Sequence, residues 1–102
     1  MKVQTITRVN VGVSDPLVVN TNISPCNIGF GTVVNDTATY SVQHTFDDPA
    51  VGFTTWYSHP TVAGEDANAD GNYAFPITAV RILITAATLD SSVTLNLVQA
   101  GI

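Results

Sequence analysis

The chain has 102 residues, with eight Asp and Glu against three Lys and Arg, for a formal charge of −5 at pH 7. That length holds one domain with its own core, and three fixed cations, Lys2, Arg8 and Arg81, are too few to neutralise a run of phosphates, which argues against direct nucleic-acid binding. Charged residues make up 11 % of the chain, well under the roughly 25 % common in soluble domains, so Thr, Asn and Ser must keep the surface wetted, as suits pleated strands and turns.

The first segment, Met1 to Arg8, alternates Val3, Thr5 and Thr7 with Gln4, Ile6 and Arg8, and the spacing predicts an edge strand or, over residues 1–14, an N-terminal arm. It lacks the apolar stretch of a signal peptide, which points to folding in a cytoplasm. After the turn signal Ser14-Asp15-Pro16, the run Leu17-Val18-Val19 predicts a short second strand. Cys26 is the single cysteine, so no disulfide can form within the chain, and it reads as a small buried apolar residue. Cys26, Ile28 and Phe30 then alternate with Asn27, Gly29 and Gly31. Outward-facing glycines beside inward-facing apolar residues suggest a bulge or a close neighbouring backbone.

The clearest strand runs over Ala38, Tyr40, Val42, His44 and Phe46 on one face, with Thr39, Ser41, Gln43 and Thr45 on the other. Asn35-Asp36 precedes it, and Asp47-Asp48-Pro49 ends it because proline has no N–H to donate. Residues 50–72 read mostly as loop, with a short apolar piece from Phe53 to Tyr57, and so long a connection is where a partner contact is expected. The C-terminal part predicts a β-hairpin, with Val80, Ile82 and Ile84 on one arm and Val93, Leu95 and Leu97 on the other, joined through Leu89-Asp90-Ser91-Ser92. Leu83 and Val98 on the opposite faces predict a hairpin covered on both sides. No apolar run approaches the roughly 20 residues of a membrane-spanning helix. Frequent turns and short alternating strands predict an all-β, single-domain antiparallel β-sandwich or jelly-roll-like barrel.

Chemical motifs are thin. Asp66, Asn68 and Asp70 stand at alternate positions before Gly71, as in calcium loops, but Ile77 occupies the place of the bidentate glutamate. An Asx-rich turn fits this stretch better. His44 and His59 have no second histidine or cysteine at metal-ligand spacing, and His44, on an apolar strand face, reads as a hydrogen-bonded core residue. No nucleophile elbow or phosphate loop is present, so an enzyme is not expected. Phe53, Trp56, Tyr57 and Tyr73 could form an aromatic platform for a sugar or a protein, while for Trp56 a cap over the open end of the sandwich is the preferred reading.

Five stretches carry a resemblance. They are Ala38-Thr39-Tyr40-Ser41-Val42-Gln43-His44-Thr45-Phe46-Asp47-Asp48-Pro49, Thr55-Trp56-Tyr57-Ser58-His59-Pro60, Asn68-Ala69-Asp70-Gly71-Asn72, Phe75-Pro76-Ile77-Thr78-Ala79-Val80-Arg81, and Val93-Thr94-Leu95-Asn96-Leu97-Val98-Gln99-Ala100-Gly101. Together, over roughly the last two thirds of the chain, they resemble small structural proteins of tailed bacteriophages. The resemblance implies a virion component made in the bacterial host cytoplasm, such as a capsid decoration (cement) protein, or a head-fibre, neck or tail component. It further implies a homo-oligomer, with a trimer favoured, whose partners are the major capsid protein or other virion proteins, with neither nucleic acid nor membrane bound. Lys2, Arg8, Phe53, Trp56, Tyr57 and Tyr73 are the candidate contact residues. A carbohydrate-binding module using Trp56 and Tyr57, and a calcium-dependent adhesion module using Asp66, Asn68 and Asp70, are the alternatives of another class.

Overall fold

The computed structural model describes residues 2–19, 27–47, 54–74, 77–88 and 90–99. These form nine strands: β1 Lys2–Val9, β2 Gly12–Val13, β3 Leu17–Val18, β4 Ile28–Asn35, β5 Ala38–Thr45, β6 Trp56–Ser58, β7 Ala69–Tyr73, β8 Ala79–Ala87 and β9 Ser92–Gln99. They make two antiparallel sheets. Sheet A has the order β1-β9-β4-β7, and sheet B the order β2-β8-β5-β6, with β3 also paired to β8. Most consecutive strands cross from one sheet to the other, while β2 and β3, and β5 and β6, stay within sheet B; across the core β9 lies against β8 and β5, and β1 against β3. This is the strand order of a jelly roll, the second of the two architectures that alternation predicts.

The core lies between the sheets because each strand turns one apolar face inward. Ile28 and Phe30 of β4, Tyr40 and Val42 of β5, Ile82 and Ile84 of β8, and Val93, Leu95 and Leu97 of β9 are all buried there. The expected C-terminal hairpin is therefore corrected: β8 and β9 do not pair with each other but face each other across the core in different sheets. In a hairpin both apolar faces would lie on the same side of one sheet and need a third element to cover them. In an arch each strand covers the other.

The arch corners use residues that tolerate left-handed backbone. Asn10, Asp36 and Asp90 have φ of 64°, 65° and 64°, and Asn and Asp adopt that region more readily than other side chains. Hydrogen bonds join neighbouring corners, from Asn10 N to Ser91 O at 3.0 Å and from Thr88 N to Thr37 O at 3.0 Å.

Of the two readings of the N-terminal segment, the edge strand is the one seen: β1 borders sheet A, all eight of its residues pair with β9, and Gln4 Nε2 donates to Val18 O at 3.0 Å across the sandwich edge. The expected loop over residues 50–72 contains strands β6 and β7 among its described residues. The segment between these strands also follows β5: Val42 N donates to Val62 O at 3.0 Å, while Tyr40 and Glu65 exchange backbone bonds of 2.8 Å. Sheet B thus acquires an ordered border of its own chain.

Candidate functional site

Side chains on one strand face recur every second residue, and directly paired residues share a face. His44 and Phe46 therefore project together from β5, and Tyr57 of β6, paired with His44, joins them. Tyr73 ends β7 opposite Ile28 and enters from the other sheet. The result is a continuous aromatic cluster. Phe46 and Tyr57 lie 5.7 Å apart by ring centroids, His44 is 5.4 Å from Phe46 and 4.8 Å from Tyr73, and Tyr73 is 5.5 Å from Phe30 and 5.0 Å from His59. Such pairs add about 0.5–1.5 kcal/mol each beyond the area they bury.

The cluster is graded from inside to outside. Tyr73 is fully buried, His44 is 5 % exposed, and Phe46 and Tyr57 are 53 % and 49 % exposed. His44 Nδ1 and the Tyr73 hydroxyl are hydrogen-bonded at 3.0 Å, the satisfied core histidine that the sequence pattern predicts. Burial, with His59 nearby, lowers the His44 pKa, and burial raises that of the Tyr73 phenol, so both groups favour their neutral forms. His59 is oriented by backbone: its Nε2 donates to Asn72 O at 3.0 Å, because a carbonyl can only accept, and its Nδ1 accepts from Thr61 N at 3.2 Å. These imidazoles are occupied in packing, and the surface they support is a rigid, half-exposed aromatic pair suited to recognition.

The expected platform of Phe53, Trp56, Tyr57 and Tyr73 does not assemble. Trp56 and Tyr57 are adjacent on β6 and point to opposite faces; Trp56 lies on the outer face of sheet B, where the Arg81 guanidinium sits 4.3 Å from its ring centroid. Arg81 is also held by Gln43, with Nε donating to Oε1 at 2.8 Å. Tyr73 is interior, and Phe53 lies outside the described residues. Phe46 was missed as a surface residue because it continues the apolar alternation of β5, yet it falls one residue beyond the last paired position, Thr45. The strand-ending sequence Asp47-Asp48-Pro49 just after it was the available signal.

Of the remaining candidates, Lys2 pairs with Gln99 in the β-ladder. Arg8 turns back onto its own corner, its Nη2 donating to Val11 O at 2.7 Å. Of the weak calcium candidates, Asp70 stands exposed in the extended strand β7, and Asn68 Oδ1 accepts the Val34 N–H at 2.8 Å. Among the described residues no three His, Cys, Asp or Glu side chains gather as metal ligands.

Fold and site together define a small jelly-roll domain with a half-exposed aromatic pair, Phe46 and Tyr57, at its surface. Comparison with family models, curated protein sequences and solved structures returns no match for this chain.

Proposed function

We propose that this chain is a non-enzymatic structural protein of a tailed bacteriophage particle, a capsid decoration protein that binds and stabilises the assembled head. The observation that carries the docking role is the Phe46 and Tyr57 pair, about half exposed, on a buried base of His44 and Tyr73. Aromatic side chains held rigid before binding lose little entropy when covered, and they dominate protein interfaces. The phage setting rests on the resemblance of the segments quoted above, and the jelly roll is an architecture that viral capsid proteins use.

A decoration protein acts by covering surface that exists only in the assembled lattice, so many modest contacts add through repetition. Quantitative mass spectrometry of purified virions tests this reading. A copy number near that of the major capsid protein is expected. A few copies per particle would transfer the protein to the neck, tail or head fibres, and absence would overturn the virion role. Purified heads should also lose the protein when Phe46→Ala and Tyr57→Ala are combined, while the variant keeps its fold.

A further inference from the structure

The borders of the two sheets differ in length and regularity. Sheet A ends on one side in β7, five residues that include Asp70 and Gly71, while sheet B ends in β6, three residues, and in β2 and β3, two residues each with Pro16 between them. Short strands, charge, glycine and proline are the devices that keep a sheet edge from pairing with another chain. Strand β1, the other border of sheet A, has none of them along its middle. Residues 3–7 hold no charge, glycine or proline, and all eight residues of the strand keep one unbroken register with β9.

The backbone of β1 also presents donors and acceptors outward. Asn10 N donates to Ser91 O at 3.0 Å in continuation of the β1 to β9 register. Hydrogen-bonded pairs alternate along an antiparallel ladder, so Gln4, Ile6 and Arg8 turn their N–H and C=O groups to β9, and Val3, Thr5, Thr7 and Val9 turn theirs away from it. The same side of the sandwich carries exposed apolar surface. Val3, Val9, Val11, Val13 and Val18, on β1, β2, β3 and the corner between the first two, are all between 42 % and 60 % exposed, and such a concentration marks interaction surfaces.

We propose that β1 pairs edge to edge with β1 of a second copy, antiparallel about a two-fold axis at Ile6, so that the two A sheets become one continuous sheet. A row of backbone donors and acceptors along an edge is met by another strand, and the register selects a like one. With the axis at Ile6, Val3 falls opposite Val9, Thr5 opposite Thr7, Gln4 opposite Arg8 and Ile6 opposite its own copy. Apolar side chains then meet apolar ones, hydroxyls meet hydroxyls, and no two charges are paired. The outward groups of Val3, Thr5, Thr7 and Val9 face one another as hydrogen-bonded pairs, two bonds to each. An axis at Thr5 would set Lys2 opposite Arg8, cation against cation, and one at Thr7 would run Val3 past the end of the strand to Val11. A two-fold contact requires a surface that complements itself, and β1 does so about Ile6. The seam is about 26 Å long and narrow for a specific interface, so the dimer is a weak and reversible one. Charge opposes it: the chain carries −5, and Asp15, exposed between β2 and β3, lies on the same side of the sandwich. Association should therefore tighten as salt screens these charges. The proposal stands apart from the particle reading, because two copies can meet in buffer without a phage head.

Sedimentation equilibrium of the wild-type chain and of Thr5→Pro tests it. Reversible dimers are expected for the wild type. Proline removes an outward N–H of β1 and none that faces β9, so the variant should keep the circular dichroism of the folded chain and associate at least roughly tenfold more weakly. Disulfide cross-linking reads the register without that variant. In a Cys26→Ser background, Val3→Cys mixed with Val9→Cys should oxidise to a covalent dimer far faster than either alone, since directly opposite residues have Cα atoms about 5.5 Å apart. A wild-type chain that stays monomeric at millimolar concentration, or that forms trimers, would overturn the proposal. So would a dimer that Thr5→Pro leaves unchanged while folded, or either cysteine variant alone cross-linking as fast as the mixture.

Discussion

The two sheets are alike inside and differ outside. On the β5 side of the outer face of sheet B the chain covers itself: Ser41, Gln43 and Thr45 are all buried although they point away from the core, while Val13 and Val18 on the far side of β8 stay exposed. Ser41 Oγ accepts the Gly64 N–H at 2.9 Å, Gln43 holds Arg81 beneath Trp56, and Thr45 Oγ1 donates to Thr55 O at 2.7 Å. On the outer face of sheet A, Val3, Val9 and Val33 are about half exposed or more, and two glycines leave bare backbone. Among the described residues, one face is bordered by loops of the same polypeptide and the other is left open. An outward-facing polar residue can thus be buried by bonding to its own chain, and alternation does not show it.

Four perturbations sharpen this contrast. The largest effect is expected inside, at the joint between the sheets. Tyr73→Ala removes a fully buried ring packed on Phe30, His44 and His59 and should destabilise the domain by about 3–5 kcal/mol, measured by urea denaturation. Next comes Ser14→Ala. The Ser14 hydroxyl accepts the buried Ile82 N–H at 2.9 Å, filling a gap in the ladder between β2 and β3. Its loss should cost about 1–3 kcal/mol and speed amide exchange at Ile82.

The third perturbation is pH. His44 has its pKa lowered by burial, so the unfolded chain binds a proton more readily than the folded one. The contribution of His44 is complete above the unfolded value of about 6.5 and is lost as pH falls through that value toward the folded one. The melting temperature should drop between about pH 7.5 and 5.5, and His44→Gln should flatten that part of the profile. The smallest effect is a gain: in the dilute monomer Gly29→Val should stabilise the fold by about 0.5–1 kcal/mol, since strand propensity rises where no described atom obstructs the side chain.

Much of the core was legible. Ile82 and Ile84, Val93, Leu95 and Leu97, and the inner face of β5 all lie where period-two alternation puts them, because alternation reports which face is buried. It does not report which strand lies alongside, so β8 and β9 read as a hairpin although each pairs elsewhere. Strand β7, Ala-Asp-Gly-Asn-Tyr, was invisible because its apolar pattern is absent; it forms through backbone pairing to β4, with Gly71 making room for Phe30. At the candidate site His44 was read correctly, whereas Trp56 and Tyr57 were joined into one surface despite being neighbours on a strand. The outward glycines of β4 suggested a bulge, and the register of three strands shows that there is none.

The difference between the two outer faces is tested most directly by thiol labelling of single cysteines placed in a Cys26→Ser background. Rapid labelling of Val33→Cys with slow labelling of Ser41→Cys is the result expected from their exposures of 49 % and 7 %. Equal rates at the two positions would contradict it.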